Sequence, residues 1–358
     1  MPRSRFGCIA LVALVAFGCA PDQYGPTALA PVPAVQAPSV VFATGAQARD
    51  LGPALAAKER HADRLLAVPG VEGAAVGLGG DGRPAVKLFT RTGGIGGLPA
   101  SLDGIPVLTQ VTGEFRAAPA ATAGATSVTA NTVILALPVP IGVSTGNVGQ
   151  CSAGTISARV RDVGGHVYAL SNNHVYALEN DAPLGTRVLE PGLYDTGCTA
   201  AASNVLGTLW DFQKIAFRRM ANNVIDAAIA LTSTGSLGDA TPTEGYGTPN
   251  HVTVAASLSQ PVQKYGRTTS LTHGQVSAIG ATVLIHYSSG TARFVNQIIV
   301  QSDTQFIGPG DSGSLLVTDD AGANPVGLLF AGNGTGTMAI ANPIDAVLQR
   351  FGVTIDGK

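Results

Sequence analysis

Short apolar segments recur along residues 130–358, and turn-forming residues separate them. Gly, Asn and Asp stand between most of the segments, where a chain can reverse its direction. Segments of this length and spacing are typical of β-strands rather than helices, so a pair of all-β barrels is expected. The segments are Val133–Leu137, Gly154–Val160, His166–Leu170, Val224–Leu231, Val252–Ala255, Val283–His286, Gln297–Val300, Leu315–Val317 and Val326–Ala331, and a closing helix is expected over Pro343–Phe351.

Residues 46–116 carry a different pattern, which predicts a small N-terminal α+β domain. Leucines recur at helical spacing along Gln47–Ala67, and three strand-like segments follow. The role of this domain stays open between a folding or inhibitory pro-domain and an accessory module. Residues 117–129, rich in Ala and Thr, are interpreted as a linker. The three strand-like segments are Val71–Leu78, Pro84–Thr90 and Ile105–Val111.

The first twenty residues have the pattern of an export signal. Arg3 and Arg5 precede the apolar run Ile9–Phe17, which is too short to span a bilayer as a mature helix. Residues 1–20 are therefore interpreted as a signal peptide, and the protein is expected to be exported.

Two processing routes fit the end of that segment. Cys19, directly after Gly18, is a candidate for the lipidated cysteine of a bacterial cell-envelope lipoprotein, whereas Gly18 and Ala20 also suit ordinary cleavage and secretion. Residues 21–45 are rich in Pro and Ala and are predicted to form a tether. A lipid anchor at Cys19 is the one membrane contact expected.

Charge and motif content exclude several classes of function. Charged residues make up 12% of the chain and the net charge is −2, with no cluster of Lys or Arg of the kind that binds phosphates. A nucleic-acid partner is therefore not expected. No HExxH or CxxC motif occurs, so neither a catalytic metal nor another cofactor is expected.

The four cysteines divide between the export signal and the folded body. Cys8 lies within the signal and Cys19 at its edge, which leaves Cys151 and Cys198. A pair in an exported domain predicts a disulfide, which would close a loop that carries His174. Two unpaired buried thiols are the alternative.

Three polar residues stand where apolar segments meet turns, and together they suit nucleophilic catalysis. Ser312 lies in Gly310-Asp311-Ser312-Gly313, where glycines allow a sharp turn and aim backbone N–H groups at an oxyanion. A serine hydroxyl needs a neighbouring base, and His174 at the end of an apolar run can supply it. Asp226, at the head of another apolar run, completes the set in the order His, Asp, Ser.

These motifs resemble those of the trypsin/chymotrypsin-like serine peptidases, which share the order His, Asp, Ser. The matching segments are Leu170–Val175 around the histidine, Asp226–Ala230 and the Ser312 turn. Tyr265–Gly274 resembles the loop that opens the second barrel in bacterial members such as the streptogrisins. The resemblance covers about residues 130–358 and implies a trypsin-like double barrel.

The resemblance also implies roles for the neighbours of the serine. The backbone N–H groups of Gly310 and Ser312 would form the oxyanion hole. Asp311 would be buried and would need a cation, for which Lys264 is the first candidate and Arg267 the second. The primary substrate pocket is expected at Phe306-Ile307 and Phe330-Ala331-Gly332, with no acidic residue at its base. Cleavage after a small or apolar residue is therefore expected.

Other members of the same residue types fit less well. Asp195 and Asp211 are alternatives to Asp226, but neither begins an apolar strand. The remaining histidines have no comparable context and are interpreted as structural; they are His61, His166, His251, His273 and His286.

The sequence thus predicts an exported serine endopeptidase that acts on polypeptide substrates through an acyl-enzyme. Two other functions remain open. The chain could be a latent or inactive binding protein with the peptidase fold, or an esterase that uses the same triad.

Overall fold

The computed structural model describes residues 50–117 and 130–358, in which strands predominate. Its α-helices are α1 (Gly52–Leu66), α2 (Asn173–Tyr176) and α3 (Ile344–Phe351), and none of the helices in these ranges is long and apolar enough to cross a membrane. Short 3-10 helices lie at Ala130–Thr132, Leu178–Asn180, Leu193–Thr196 and Ala200–Ala202. The strands are β1 (Val71–Leu78), β2 (Pro84–Thr90), β3 (Ser101–Leu102), β4 (Ile105–Val111), β5 (Phe115–Arg116), β6 (Ser144–Asn147), β7 (Gly154–Thr155), β8 (Ala158–Asp162), β9 (Val167–Ser171), β10 (Arg187–Glu190), β11 (Asn204–Phe212), β12 (Asn222–Asn223), β13 (Ala228–Thr232), β14 (Pro261–Gly266), β15 (Ser270–Tyr287), β16 (Gly290–Gln301), β17 (Leu315–Thr318), β18 (Pro325–Gly332), β19 (Met338–Pro343) and β20 (Val353–Ile355).

The first barrel is an antiparallel sheet with the strand order β20-β8-β9-β13-β11-β10-β6-β7. Strands β7 and β8 are consecutive parts of one bent segment, so the sheet closes on itself where they meet. Its interior is filled by buried aliphatic and aromatic side chains, whose removal from water stabilises the barrel. Examples are Ile141, Val143, Val175, Tyr176, Val188 and Leu206.

The second barrel is a closed ring of six hydrogen-bonded strands. Strands β16, β19, β18, β17, β14 and β15 follow one another in the sheet, and β15 pairs in turn with β16. Every pair in this ring is antiparallel. Strands β15 and β16 are the longest, at 18 and 12 residues, and they form a long hairpin.

The N-terminal segment extends the sheet of the second barrel. Strand β1 pairs antiparallel with β15, and Gly73 lies opposite Val283. A Cβ at Gly73 would lie 2.7 Å from a Val283 methyl carbon, so glycine permits this close pairing. Side chains from both parts share one hydrophobic core, in which Phe89 and Phe115 lie with Phe294.

Most of the expected elements are present. The strands over 71–78, 84–90 and 105–111 are confirmed at both ends, and the two predicted helices begin at Gly52 and Ile344. The expected fold, an all-β double barrel with a small α+β part at its N-terminus, is confirmed. The helix and strands of residues 50–116 agree with the predicted composition of the 46–116 domain, while its role stays a prediction.

Two predicted strands are wrong. Val133–Leu137 forms no strand, because Pro138 and Pro140 lack N–H donors and only an isolated bridge at Val139 follows. Val252–Ala255 is irregular, and only the Val254 N–H reaches a backbone partner. In both segments the apolar side chains lie partly in solvent, so their sequence mimics a strand without a sheet to join.

Candidate active site

Neighbouring strands β9 and β13 bring His174 and Asp226 together. Ser171, at the end of β9, pairs with Ala228 at the start of β13, so the residues just beyond them lie at the same end of the sheet. His174 Nδ1 lies 2.6 Å from Asp226 Oδ2, and both side chains are fully buried. The backbone N–H of His174 donates to Asp226 Oδ1 at 3.2 Å. With a proton on Nδ1, this arrangement leaves Nε2 as the acceptor that a general base requires.

Further polar contacts fix Asp226 in place. Its backbone carbonyl accepts a 2.7 Å hydrogen bond from Asn172 Nδ2, and its backbone N–H donates to Asn342 Oδ1 at 3.0 Å. The hydroxyl of Tyr287 donates to Asp226 Oδ2 at 2.8 Å. Sequence reasoning missed Asn342 and Tyr287, because both lie in strand segments of the second barrel where no motif marks them.

The two alternative aspartates lie elsewhere. Asp211 pairs with Arg350 at 2.8 Å on the surface, and Asp195 pairs with Arg267. Each carboxylate thus has its own cation, while Asp226 is the carboxylate bonded to His174. Its role in catalysis stays a prediction.

Ser312 lies in a turn that only glycines allow. Gly310 and Gly313 have φ angles of +101° and +98°, in the region that other residues rarely adopt. A Cβ at Gly313 would lie 2.2 Å from the carbonyl oxygen of Thr155. The Thr155 hydroxyl donates to the Gly310 carbonyl, and the Thr155 N–H donates to the Ser312 carbonyl, each at 2.8 Å. The serine turn is therefore tied to β7 of the first barrel.

The serine and histidine loops meet around Gly154. A Cβ at this residue would lie 2.5 Å from a Val175 methyl carbon and 3.0 Å from the Ser312 carbonyl oxygen. The Ser312 hydroxyl nevertheless points to the carbonyl oxygen of Phe330, at 3.5 Å. His174 Nε2 is buried without a hydrogen-bond partner in the described parts of the chain. The Asp–His contact is therefore formed, whereas the hydrogen bond from Ser312 to His174 is not made.

Two backbone donors of the serine turn are free. Within residues 50–117 and 130–358, the N–H groups of Gly310 and Ser312 have no acceptor. The N–H groups of Asp311 and Gly313 donate to backbone carbonyls at 3.0 and 2.9 Å. Free N–H groups in one turn are the donors that an oxyanion hole needs, and the predicted role of Gly310 and Ser312 stays open to test.

Asp311 and Lys264 lie together in the interior. Lys264 Nζ is 3.6 Å from Asp311 Oδ2, and both side chains are fully buried. Lys264 also donates to the Ser270 carbonyl at 2.9 Å and to the Thr269 hydroxyl. Burial lowers the pKa of Lys264 below its ordinary value, and the charge of Asp311 opposes that shift. The first candidate for the partner of Asp311 thus lies beside it.

The second candidate, Arg267, has a different partner. Its guanidinium forms a two-pronged ion pair with Asp195 and lies 5.4 Å from the Tyr194 ring centroid. Arg267 is therefore the partner of Asp195 and not of Asp311, so the second candidate is wrong. The Asp195 loop of the first barrel packs against Arg267, which brings the Asp195 carboxylate within bonding distance of the guanidinium.

Cys151 and Cys198 form the expected disulfide. Their Cα atoms are 5.1 Å apart, and they lie 47 positions apart in the sequence. The bond links the turn between β6 and β7 to the loop that follows Leu193–Thr196, and the segment it closes contains His174.

The segments predicted to wall the substrate pocket lie next to each other. A Cβ at Gly332 would be 2.7 Å from the Ile307 Cγ2 atom. Phe306 is buried in the second-barrel core, and the buried Phe330 ring lies 4.8 Å from the Phe294 ring. Ala331 is buried beside them. The pocket stays a prediction.

Strand β5 of the N-terminal segment occupies the edge of β18 in this region. Arg116 pairs antiparallel with Gly332, and Phe115 pairs in parallel with Ile285 of β15. The Phe115 side chain is fully buried and meets Phe89 edge-on at 5.6 Å. Gly332, at the end of β18 and in a segment predicted to wall the pocket, is thus paired with the chain's own β5.

The remaining predictions fall outside this site. In the described residues no group of His, Cys, Asp and Glu has the arrangement of a metal site. His286 bonds to Glu72 at 2.9 Å and His273 to Asp319 at 2.9 Å, as structural histidines do. The signal peptide (1–20), Cys19, the tether (21–45) and almost all of the 117–129 linker lie outside the described residues.

Solved structures to which this chain is similar include serine proteases. A protease specific for glutamic acid, said to use a histidine triad in substrate binding, is 21% identical over 61% of this chain and 100% of its own, with a TM-score of 0.44. Thermobifida fusca protease A is 19% identical over 62% and 100%, with a TM-score of 0.44. A chymotrypsin from Cellulomonas bogoriensis is 21% identical over 62% and 99%, with a TM-score of 0.41.

The superfamily expected from the motifs, the trypsin/chymotrypsin-like serine peptidases, includes these neighbours. No protein-family model matches the chain. No curated protein matches it either.

Proposed function

We propose that this chain is a serine endopeptidase that uses Ser312, His174 and Asp226, and that its own β5 keeps it latent. The observation that carries the catalytic part is the fully buried 2.6 Å contact between His174 Nδ1 and Asp226 Oδ2. A buried polar atom usually has a hydrogen-bond partner, whereas Nε2 here has none in the described residues. The free nitrogen belongs to the loop that meets the Ser312 turn.

The proposed reaction proceeds in two steps. The Ser312 Oγ attacks the carbonyl carbon of the scissile peptide bond while its proton passes to His174 Nε2. The carbonyl electron pair moves onto its oxygen, where the N–H groups of Gly310 and Ser312 stabilise the negative charge. The C–N bond then breaks, and Nε2 gives its proton to the leaving amine. A water molecule attacks the acyl-enzyme by the same route, which releases the acid and returns the proton to Ser312.

Latency is supported by the occupied edge of β18. An extended peptide binds such a protease by adding a strand to an exposed sheet edge. Arg116 already pairs with Gly332 on this edge. The residues of the site are also covered, since His174 and Ser312 are 2% and 3% exposed. A substrate must therefore replace β5 before it can reach Ser312.

The same contacts favour a pro-domain over an accessory module for residues 46–116. An independent accessory module would leave the surface of the second barrel exposed, whereas Phe89 and Phe115 pack in one core with Phe330 of that barrel. Part of the protein surface near the site is thus buried by a segment that precedes the predicted 117–129 linker. A cut in this linker would free the segment to leave.

The proposal includes export. The Cys151–Cys198 disulfide favours an oxidising compartment, in agreement with the predicted signal peptide. We propose that the mature protein is a cell-envelope lipoprotein anchored at Cys19, with secretion as the alternative. We propose a polypeptide substrate with a small or apolar residue before the scissile bond, because no acidic residue lies in the predicted pocket segments.

A second function, that of an inactive binding protein, is favoured by one observation. The Ser312 hydroxyl points to the Phe330 carbonyl rather than to His174. Such a serine is unactivated as it stands, so catalysis requires its side chain to turn.

The test is labelling of the full chain by a fluorophosphonate, before and after limited proteolysis in residues 118–129. The matched control is Ser312→Ala, and native mass spectrometry shows whether the N-terminal segment has left. Labelling that depends on Ser312 and rises after the cut is the expected result.

Other outcomes would each overturn one part of the proposal. Full labelling of the uncut chain would refute the proposal that β5 keeps the protein latent. Absence of labelling in a folded protein whose N-terminal segment has left would refute the peptidase function and favour the binding protein. Hydrolysis of ester substrates without any hydrolysis of peptides would indicate an esterase.

A further inference from the structure

Tyr287 lies at the end of β15, where the long hairpin of the second barrel reaches the His–Asp pair. Its hydroxyl donates to Asp226 Oδ2 at 2.8 Å, and this is the oxygen that lies 2.6 Å from His174 Nδ1. The Tyr287 ring meets the imidazole edge-on, with centroids 5.9 Å apart. One carboxylate oxygen therefore has two donors from two different barrels.

The position of Tyr287 is itself fixed by packing. Its ring lies 5.4 Å from that of Phe217 and 6.2 Å from that of Phe294. The hairpin tip just beyond Tyr287 is bound to the first barrel. There the Glu179 carboxylate accepts hydrogen bonds from the Ser288 hydroxyl and from the backbone N–H of Ser289, each at 2.8 Å. The hydroxyl is thus aimed at Asp226 from a rigid support.

The surroundings of Tyr287 favour the protonated form of its hydroxyl. Burial raises the pKa of Tyr287 well above its ordinary value, and the negative charge of Asp226 raises it further. Tyr287 is therefore the donor in its 2.8 Å hydrogen bond to the Asp226 carboxylate.

We infer that Tyr287 is a positioning residue for the proposed triad, which holds the Asp226 carboxylate in the plane that orients the His174 ring. This inference rests on the proposed function. The His174 N–H groups give each oxygen of Asp226 one donor, and the Tyr287 hydroxyl adds a second donor on Oδ2 that further restrains rotation about the Cβ–Cγ bond. Rotation of the carboxylate would misorient the His174 base, and small misplacements of catalytic groups lower the rate strongly.

Tyr287→Phe tests the inference, since it removes one oxygen atom and keeps the ring. Tyr168→Phe is the matched control, because it removes a tyrosine–aspartate hydrogen bond of the same kind, to Asp162 at 3.0 Å, away from the site. Both variants are made in the full chain, cut in residues 118–129, and compared at equal folded fraction by circular dichroism.

Two readouts are taken. The first is kcat and KM on a peptide substrate, together with the rate at which the fluorophosphonate reacts with Ser312. We expect Tyr287→Phe to lower kcat and this rate roughly 10- to 100-fold, because a hydrogen bond to a charged group is lost. We expect little change in KM. The second is the NMR signal of the proton on His174 Nδ1 in the uncut chain, which we expect Tyr287→Phe to shift and Tyr168→Phe to leave unchanged.

The outcomes separate this inference from the function on which it rests. If the wild type is labelled at Ser312 and Tyr287→Phe reacts at the same rate, the inference is overturned and the peptidase stands. If the wild type is never labelled, the proposed peptidase function is refuted. The NMR signal still tests whether Tyr287 positions Asp226 and His174. An Nδ1 proton signal that is absent, or identical in wild type and Tyr287→Phe, overturns the inference in either case.

Discussion

Replacement of Lys264 by Met should leave Asp311 as a buried charge without its cation. Removal of one partner from a buried ion pair typically costs 3–5 kcal/mol, whereas exposed pairs contribute little. Lys264 and Asp311 are fully buried, so the larger scale applies. The Asp311 carboxylate also accepts hydrogen bonds from the N–H groups of Gly308, Thr268 and Thr269 and from the Thr269 hydroxyl. Because these donors remain, we expect Lys264→Met to cost about 3 kcal/mol, the lower end of that range.

Urea unfolding of the full chain measures this loss. Lys214→Met is the matched control, since this exposed lysine should change the free energy of unfolding by less than about 0.5 kcal/mol. The double variant Lys264→Met/Asp311→Asn removes both charges and should be more stable than Lys264→Met alone. Fluorophosphonate labelling of Ser312 should fall in Lys264→Met, because Asp311 precedes the serine in its turn.

Two results would refute this reasoning. The first is a loss below about 1 kcal/mol in Lys264→Met, which would mean that the hydrogen bonds alone sustain the buried charge. The second is strict additivity of Lys264→Met and Asp311→Asn, with Asp311→Asn also measured alone, which would mean that the residues do not interact despite their contact.

Three further predictions follow from other parts of the structure. Burial raises the pKa of Glu190 to about 7, so its contribution to stability is present below its ordinary value of 4.5 and is lost as the pH rises through 7. Glu190→Gln should therefore be more stable than wild type at pH 8 and similar at pH 4 in thermal unfolding; an unchanged difference across this range would contradict the assignment. Reduction of the Cys151–Cys198 disulfide, whose ends are 47 positions apart, should lower the free energy of unfolding by about 4 kcal/mol in urea titrations, and a loss below about 1 kcal/mol would refute the chain-entropy reasoning. Phe115→Ala leaves a cavity in the shared core and weakens β5, so the uncut chain should react faster with a fluorophosphonate; a rate equal to wild type would argue against β5 as the block.

Sequence reasoning succeeded where burial follows a local pattern. The strands over 71–78, 84–90 and 105–111 and the helices at either end have a clear apolar period, and their edges are marked by Gly or Pro. It failed at Val133–Leu137 and Val252–Ala255. A run of apolar residues becomes a strand only when a neighbouring strand offers hydrogen bonds, and no local pattern reports that neighbour.

The candidate site divides in the same way. Glycines around Ser312 and the apolar runs beside His174 and Asp226 are local features, so the sequence alone singled out these three residues. Lys264 is proposed from the resemblance to the bacterial peptidases. Sequence could not place the Ser312 hydroxyl, which faces the Phe330 carbonyl.

The sequence by itself determined the double barrel, the order of the predicted triad and the cysteine pair, because each depends on residue type and spacing along the chain. Only the tertiary structure decided that Arg267 pairs with Asp195, that Tyr287 donates to Asp226 and that Arg116 occupies the edge at Gly332. These contacts join residues 61 or more positions apart. Their partners are selected by how the closed barrels and the N-terminal sheet pack together, and that packing depends on the whole chain at once.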